Sequence, residues 1–238
     1  MKSKNTLGVI VPFHNEENFI EESVSRLLKI EIIDQIVLVD DCSTDNSYEI
    51  ARKIQSENIN IKLKKTDLNI GKGGAVKKGL EFISTSHVIV HDADLEYFPS
   101  DIPDLFSSIP DENKYLILGS RTVGSKSRKT LYFYTYFGNK ILTWIFSVIN
   151  NYKVSDIASC YWLVKTKDLR KIKLSENGFA IEVEVLSKFL RNRHKIVEVP
   201  IKYHARSYED GKKIKLIDGI KIFAKILKYS KLNFFLKY

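Results

Sequence analysis

Val88-Ile89-Val90-His91-Asp92-Ala93-Asp94-Leu95-Glu96 runs from a short apolar strand straight into two carboxylates two residues apart, with a third acid close behind. Three consecutive β-branched residues read as a buried strand. The same grammar recurs on either side. Leu7–Val11 ends at Pro12 and is followed by Asn15-Glu16-Glu17, which opens a helix carrying Phe19, Ile20, Val24, Leu27 and Leu28. Ile36–Val39 predicts the next strand, and Asp45 or Asn46 caps a helix through Ile50, Ala51 and Ile54. Ile59–Leu63 predicts a third strand, and Gly71–Gly74 leads into a helix through Val76, Leu80 and Ile83. Tyr115–Leu118 is a further strand ending at Gly119. Strands alternating with amphipathic helices predict an α/β fold, a mostly parallel twisted sheet flanked by helices.

In such sheets ligands sit at the carboxyl ends of the strands. The polar clusters fall there: Pro12–Glu17, Asp40–Asp45, Asp92–Glu96 and Gly119–Arg121. Asp92 and Asp94 at a strand end can face one hard cation while leaving positions for phosphate oxygens, with Glu96 as a third ligand. Mg²⁺ or Mn²⁺ held this way would neutralise a diphosphate leaving group. Alone, the same pair is also what a solvated helix-capping turn looks like. Asp41 can accept hydrogen bonds from a base or a ribose, while Ser43 and Asp45 suit helix capping. Gly71-Lys72-Gly73-Gly74 suits close backbone approach to an anion at a helix start, or a plain turn. It fits neither GxxxxGK[ST] nor a GxGxxG after the first strand, which argues against a dehydrogenase.

Arg121, Arg128, Arg206, Lys212 and Lys213 are candidate anion binders, although a solvated charge is the ordinary outcome for any one of them. His14 sits within the first cluster and can stack on a base; the other four histidines show no metal-ligand spacing. Cys42 and Cys160 are too few for a disulfide framework and point to a reducing compartment. The polar start Met1–Thr6 followed by a short apolar run is not expected to be a secretory signal.

The net charge is +9, of which Lys212–Tyr238, with eight lysines and one acid, contributes +7. That concentration predicts a local electrostatic role for a basic C-terminal helix, residues 212–238, appended to a domain of residues 1–211. Leu216, Ile220, Phe223 and Leu227 are expected on one face of this helix, and Lys221, Lys225 and Lys228 on another. Leu131–Ile149 is rich in aromatic residues but carries Asn139 and Lys140 in its middle, so it reads as a membrane-interface or core helix and not as a span. Ser159–Val164 and Ile196–Val199 predict strands, and Phe179–Leu190 a helix.

Five ordered elements carry a resemblance: Val11-Pro12-Phe13-His14-Asn15-Glu16, Val39-Asp40-Asp41-Cys42-Ser43-Thr44-Asp45, Gly71-Lys72-Gly73, Asp92-Ala93-Asp94-Leu95-Glu96 and Gly119-Ser120-Arg121. Together they are similar to family 2 glycosyltransferases of the GT-A fold, in the dolichyl-phosphate mannosyltransferase and polyprenyl-phosphate glycosyltransferase group. Arg206-Ser207-Tyr208-Glu209-Asp210-Gly211-Lys212-Lys213-Ile214 resembles a late basic element of that group. The resemblance implies that Pro12, His14, Glu16, Val39 and Asp41 hold the nucleoside, with Gly71 and Lys72 also on the donor side. It implies that Asp92, Ala93, Asp94 and Glu96 hold Mg²⁺ or Mn²⁺ and the diphosphate. Asp94, Arg121, Arg206 and Lys212 would carry catalysis, and Arg121, Arg128, Arg206, Lys212 and Lys213 would meet the acceptor phosphate. His14 stands where the family usually has Tyr, and Glu96 where Gln is frequent.

The implied activity is inverting sugar transfer from a nucleotide-diphospho-sugar to a polyprenyl phosphate. The implied location is cytoplasmic, peripheral on the inner face of an anionic membrane. Two alternatives stand beside it: transfer to a hydroxyl of a glycan, for which Glu182 is the only plausible base, and a non-catalytic nucleic-acid binder. The latter has charge but no recognised motif, so nucleic acid is not expected as a partner.

Overall fold

The computed structural model describes residues 5–124, 128–129, 133–206 and 216–230. The first half builds β1 (Leu7–Phe13), α1 (Ile20–Leu28), β2 (Ile33–Asp40), α2 (Ser47–Glu57), β3 (Ile61–Lys65), α3 (Lys72–Phe82) and β4 (His87–Val90). A 3₁₀ turn at Pro99–Asp101 then leads to α4 (Ile102–Ser107), β5 (Tyr115–Ser120) and β6 (Arg128–Lys129). The remainder is α5 (Phe133–Asn150), β7 (Trp162–Lys165), α6 (Thr166–Lys171), α7 (Ile181–Arg191), β8 (Lys195–Pro200), β9 (Tyr203–His204) and α8 (Leu216–Tyr229).

Seven strands form one sheet in the order β3-β2-β1-β4-β7-β5-β8, and β6 pairs with β9 apart from it. Alternation along the strands divides the core in two. Ile10, Val37, Val39, Val88, Val90, Leu116 and Leu118 face α3, α5, α7 and α8. Val9, Val11, Ile36, Leu38, Ile89 and Ile117 face α1, α2 and α4. A period of two burying both faces is what a sheet covered by two helical layers requires.

The sheet is mostly parallel as expected, with β7 antiparallel to both β4 and β5. The chain reaches β7 through residues 151–161, which lie at the edge where the other strands end. A strand entered from that edge can only run back. Ser43 departs from its expected capping role: its hydroxyl accepts from the Asn15 N–H at 3.0 Å. Asp45 does meet the start of α2, accepting from the Ser47 N–H at 3.0 Å.

The expected boundary at 211/212 lies outside the described residues. Helix α8 packs on α5 and α7, burying Ile222, Ile226 and Tyr229. Ile220, Phe223 and Leu227, expected to form its apolar face, are exposed. The helix is apolar on two sides, and the side matched to the core takes the interior. Among the described residues no helix is long and apolar enough to cross a membrane. Cys42 and Cys160 are free thiols.

Candidate active site

The carboxyl ends of the central strands open onto a cavity of about 290 Å³. Pro12 lies near the end of β1 and His14 follows it, Asp41 follows β2, Asp92, Ala93, Asp94 and Glu96 follow β4, and Arg121 follows β5; all line it. Gly71 and Lys72 reach it from the start of α3, Glu182 from α7 and Arg206 from the segment after β9. Residues up to 194 positions apart in the chain therefore meet at one edge, because parallel strands all deliver their ends there.

Asp41 shapes the floor. Its carboxylate accepts from the amides of Ile70 at 2.8 Å and Gly71 at 2.7 Å, and from the Thr66 hydroxyl at 3.1 Å. It thereby pins the turn that starts α3. Gly71 has φ +80, and a Cβ there would lie 2.5 Å from the Asn177 carbonyl oxygen. Only glycine meets both constraints. His14 Nδ1 lies 2.9 Å from the Asp41 carbonyl oxygen.

Lys72 joins two elements across the cavity. Its Nζ is 2.8 Å from Asp92 and 2.7 Å from Glu182, with all three side chains largely buried. Burial alone would favour the neutral amine, but the two carboxylates outweigh it and hold the Lys72 pKa well above its usual range. Asp92 is correspondingly held below its usual range. Glu182 is pushed up by burial, with Lys72 opposing only in part, and its Oε2 is buried without a hydrogen-bond partner.

Asp94 is compensated only in part. Burial, then the charges of Glu96 and Asp92, push its pKa up to about 8. Arg206 is the nearest opposing charge, 3.8 Å away. A carboxyl pair that repels itself in a low-dielectric pocket is suited to a divalent cation, and its hard oxygens suit Mg²⁺ or Mn²⁺. Among the described residues no three His, Cys, Asp or Glu side chains gather closely enough to chelate a cation alone. Asp92 and Asp94 therefore fit as a partial set completed by ligand oxygens. Glu96 is differently engaged: it accepts from the Tyr203 hydroxyl at 2.6 Å and from the Arg206 amide at 2.9 Å. It ties the segment after β9 to the loop after β4.

The two arginines are held by acids. Arg206 forks onto Glu16 at 2.9 and 3.1 Å. Arg121 forks onto fully buried Asp156 at 2.7 Å through each of two nitrogens, and its guanidinium lies 4.9 Å from the centre of the Tyr203 ring. Such forks fix the plane of a guanidinium. Backbone strain marks the same edge. Asn15 at φ 50, Cys42 at φ 61 and Leu95 at φ 62 occupy the left-handed region in the loops after β1, β2 and β4. A residue other than glycine there costs about 1–3 kcal/mol and persists only where the surroundings enforce it.

Val39 is not brought to the cavity; its side chain is buried beside Ile10 in the core. Arg128 is placed on β6, opposite Tyr203. Lys212 and Lys213 lie outside the described residues. Sequence reading missed Asp156, Tyr203, Asn69 and Phe179. None sits in a motif, and only Asp156 carried a signal, as an acid in a loop before a predicted strand.

The sequence matches the family described as Glycosyl transferase family 2 over residues 8–173. The UDP-N-acetylglucosamine–dolichyl-phosphate N-acetylglucosaminyltransferase of Methanococcus voltae is 29% identical, over 92% of this chain and 94% of its own. The dolichol-phosphate mannosyltransferase of Pyrococcus furiosus is 28% identical, over 87% of this chain and 58% of its own. Among solved structures, glucosyl-3-phosphoglycerate synthase from Mycobacterium tuberculosis, in complex with Mn²⁺, UDP and glucosyl-3-phosphoglycerate, superposes with a TM-score of 0.73. That match has 18% identity and covers 96% of this chain and 81% of the other; it shows the GT-A fold. The family match runs from the first strand at the cleft to beyond the Arg121–Asp156 pair, most of the chain, and the protein belongs to glycosyl transferase family 2.

Proposed function

We propose that this glycosyltransferase moves a sugar, with inversion, from a nucleotide-diphospho-sugar to a polyprenyl phosphate at the cytoplasmic face of a membrane. The observation that carries the choice of acceptor is the Lys72–Glu182 contact of 2.7 Å. Glu182 is the acid that sequence reading offers as a base for a hydroxyl acceptor. Its Oε1 is taken by the Lys72 ammonium and its Oε2 is buried, so neither oxygen is presented to an acceptor hydroxyl. A phosphate acceptor brings its own anionic oxygen and requires no base. The names of the two dolichyl-phosphate relatives support the same reading.

In this reading His14 and the Asp41-pinned turn receive the nucleoside, and Asp92 and Asp94 hold Mg²⁺ or Mn²⁺. The bound cation would supply charge neutralisation to the diphosphate. Arg206, aimed by Glu16, and Arg121, aimed by Asp156, face the phosphates. An acceptor phosphate oxygen attacks the anomeric carbon as the bond from that carbon to the diphosphate oxygen breaks, with the electron pair leaving on the diphosphate. Fixed positive groups favour this step because they need not reorganise as charge moves.

A panel of GDP-, UDP- and dTDP-sugars with Mg²⁺ or Mn²⁺ should raise the melting temperature for one nucleotide class. With that donor radiolabelled, the sugar should partition into organic solvent on a polyprenyl phosphate. Asp94→Ala should abolish the transfer. Label found only in water-soluble glycan would instead establish the hydroxyl acceptor, and full activity of Asp94→Ala would remove the cation assignment.

A further inference from the structure

Helices α5 and α8 are each apolar on two sides. Leu142, Ile145, Phe146 and Ile149 of α5 and Ile222 and Ile226 of α8 enter one core cluster. On the other side α5 exposes Ile141, Trp144 and Val148, in line with Phe137, at spacings of four, three and four residues. Helix α8 exposes Ile220, Phe223 and Leu227. Trp144 is 67% exposed and Ile220 62%. The two helices pack side by side, so the faces turned away from their shared core look outward together. An apolar strip of this extent on a folded surface marks an interaction site.

The charges about it are mostly positive: Asp218, 3.7 Å from Lys221, is the one acid on the two helices. Helix α5 carries Lys140 and no acid. Lys221 is exposed on α8, and Lys212–Tyr238 as a whole contributes +7. Trp and Tyr beside apolar residues, ringed by lysine, suit the boundary of a bilayer with an anionic surface. A second copy of the chain would bring two lysine-rich faces together, which like-charge repulsion opposes.

We propose that the outer face of α5 and α8 seats on an anionic phospholipid bilayer. Helix α8 is then the wall between bilayer and active site, because Ile222 on its inner side lines the cavity. A helix with its side chains is about 10 Å across, so an acceptor phosphate need only pass around one helix to reach the cleft. This route rests on the lipid-phosphate reading above; the docking face does not.

The chain has two tryptophans, Trp144 on this face and Trp162 buried at 1% exposure. Vesicles of equal parts phosphatidylcholine and phosphatidylglycerol should shift the emission to the blue, and bromine-labelled acyl chains should quench it. Trp144→Phe should lose the response yet still sediment with vesicles. The double variant Ile141→Glu, Ile220→Glu should bind vesicles at least about tenfold more weakly, through lost apolar insertion and added negative charge. Its melting temperature and its response to the donor sugar should be unchanged. Undiminished sedimentation of the double variant overturns the proposal, as does a lipid-free dimer that shields Trp144, or quenching that survives Trp144→Phe. A wild-type chain that answers donor sugar but ignores vesicles sinks the docking face alone. One that binds vesicles but no nucleotide-sugar sinks the enzymatic reading alone.

Discussion

Replacing Lys72 by Met would keep the length of the side chain and remove the ammonium between Asp92 and Glu182. At neutral pH both carboxylates would then lose their cation in a buried site. Breaking a buried ion pair by removing one partner typically costs about 3–5 kcal/mol. For a chain of this size that is a fall in melting temperature of roughly 10 °C. The loss should depend on pH in a definite direction. Without Lys72, burial raises both carboxyl pKa values above their unfolded values of about 4. A group whose folded pKa is raised is fully tolerated below its unfolded pKa and destabilises as pH climbs past it. The gap between wild type and variant should therefore be largest near pH 7 and smaller near about pH 4, and it should close only as pH falls through the folded pKa of Asp92, which is held below its usual range in the wild type. Urea melts at the two pH values measure it. An equal gap at both, or none at neutral pH, would refute the claim that Lys72 is the counter-ion of this pair. Mg²⁺ or Mn²⁺ should also stabilise the variant more than the wild type, since Asp92 no longer has Lys72 as a partner.

Two further expectations concern the scaffold. A Cβ on Gly73 would lie 2.5 Å from the Glu176 carbonyl oxygen, whereas one on Gly178 meets nothing within 4 Å. Gly73→Ala should therefore cost roughly 1–3 kcal/mol by overpacking and weaken donor binding, and Gly178→Ala should do neither; thermal melts with and without donor separate them, and equal effects would contradict the packing described. His87 is buried against Tyr115, its Nε2 2.6 Å from that hydroxyl. Burial, then Lys165, lower its pKa from 6.5 to about 4. Its contribution is present above pH 6.5 and lost as pH falls towards 4, by up to about 3 kcal/mol. His87→Gln should flatten that part of the stability profile, and an unchanged slope would show that His87 does not titrate there.

The periodicities were enough to place the strands and the edge at which they end. Val88–Val90 running into Asp92, and Ile36–Val39 running into Asp40-Asp41, show their chemistry in one dimension, because a strand end and its loop are neighbours in sequence. Glycines 71 and 73 were legible as punctuation, although the reason for them, the backbone of Glu176 and Asn177, lies a hundred residues away. The reversed direction of β7 was not legible, since a four-residue apolar run reads the same either way.

What the sequence by itself determined is the fold class, the strand-end loops and the candidate acids and bases within them. Only the tertiary structure decided which acid serves which base: Glu16 with Arg206, Asp156 with Arg121, and Lys72 between Asp92 and Glu182. It also decided which side of α8 turns inward, because Ile222 and Ile226 match the core while Ile220 and Phe223 are equally apolar. Local patterns follow from backbone geometry over a few residues, whereas ion pairs and buried faces depend on which surfaces meet once the sheet has closed.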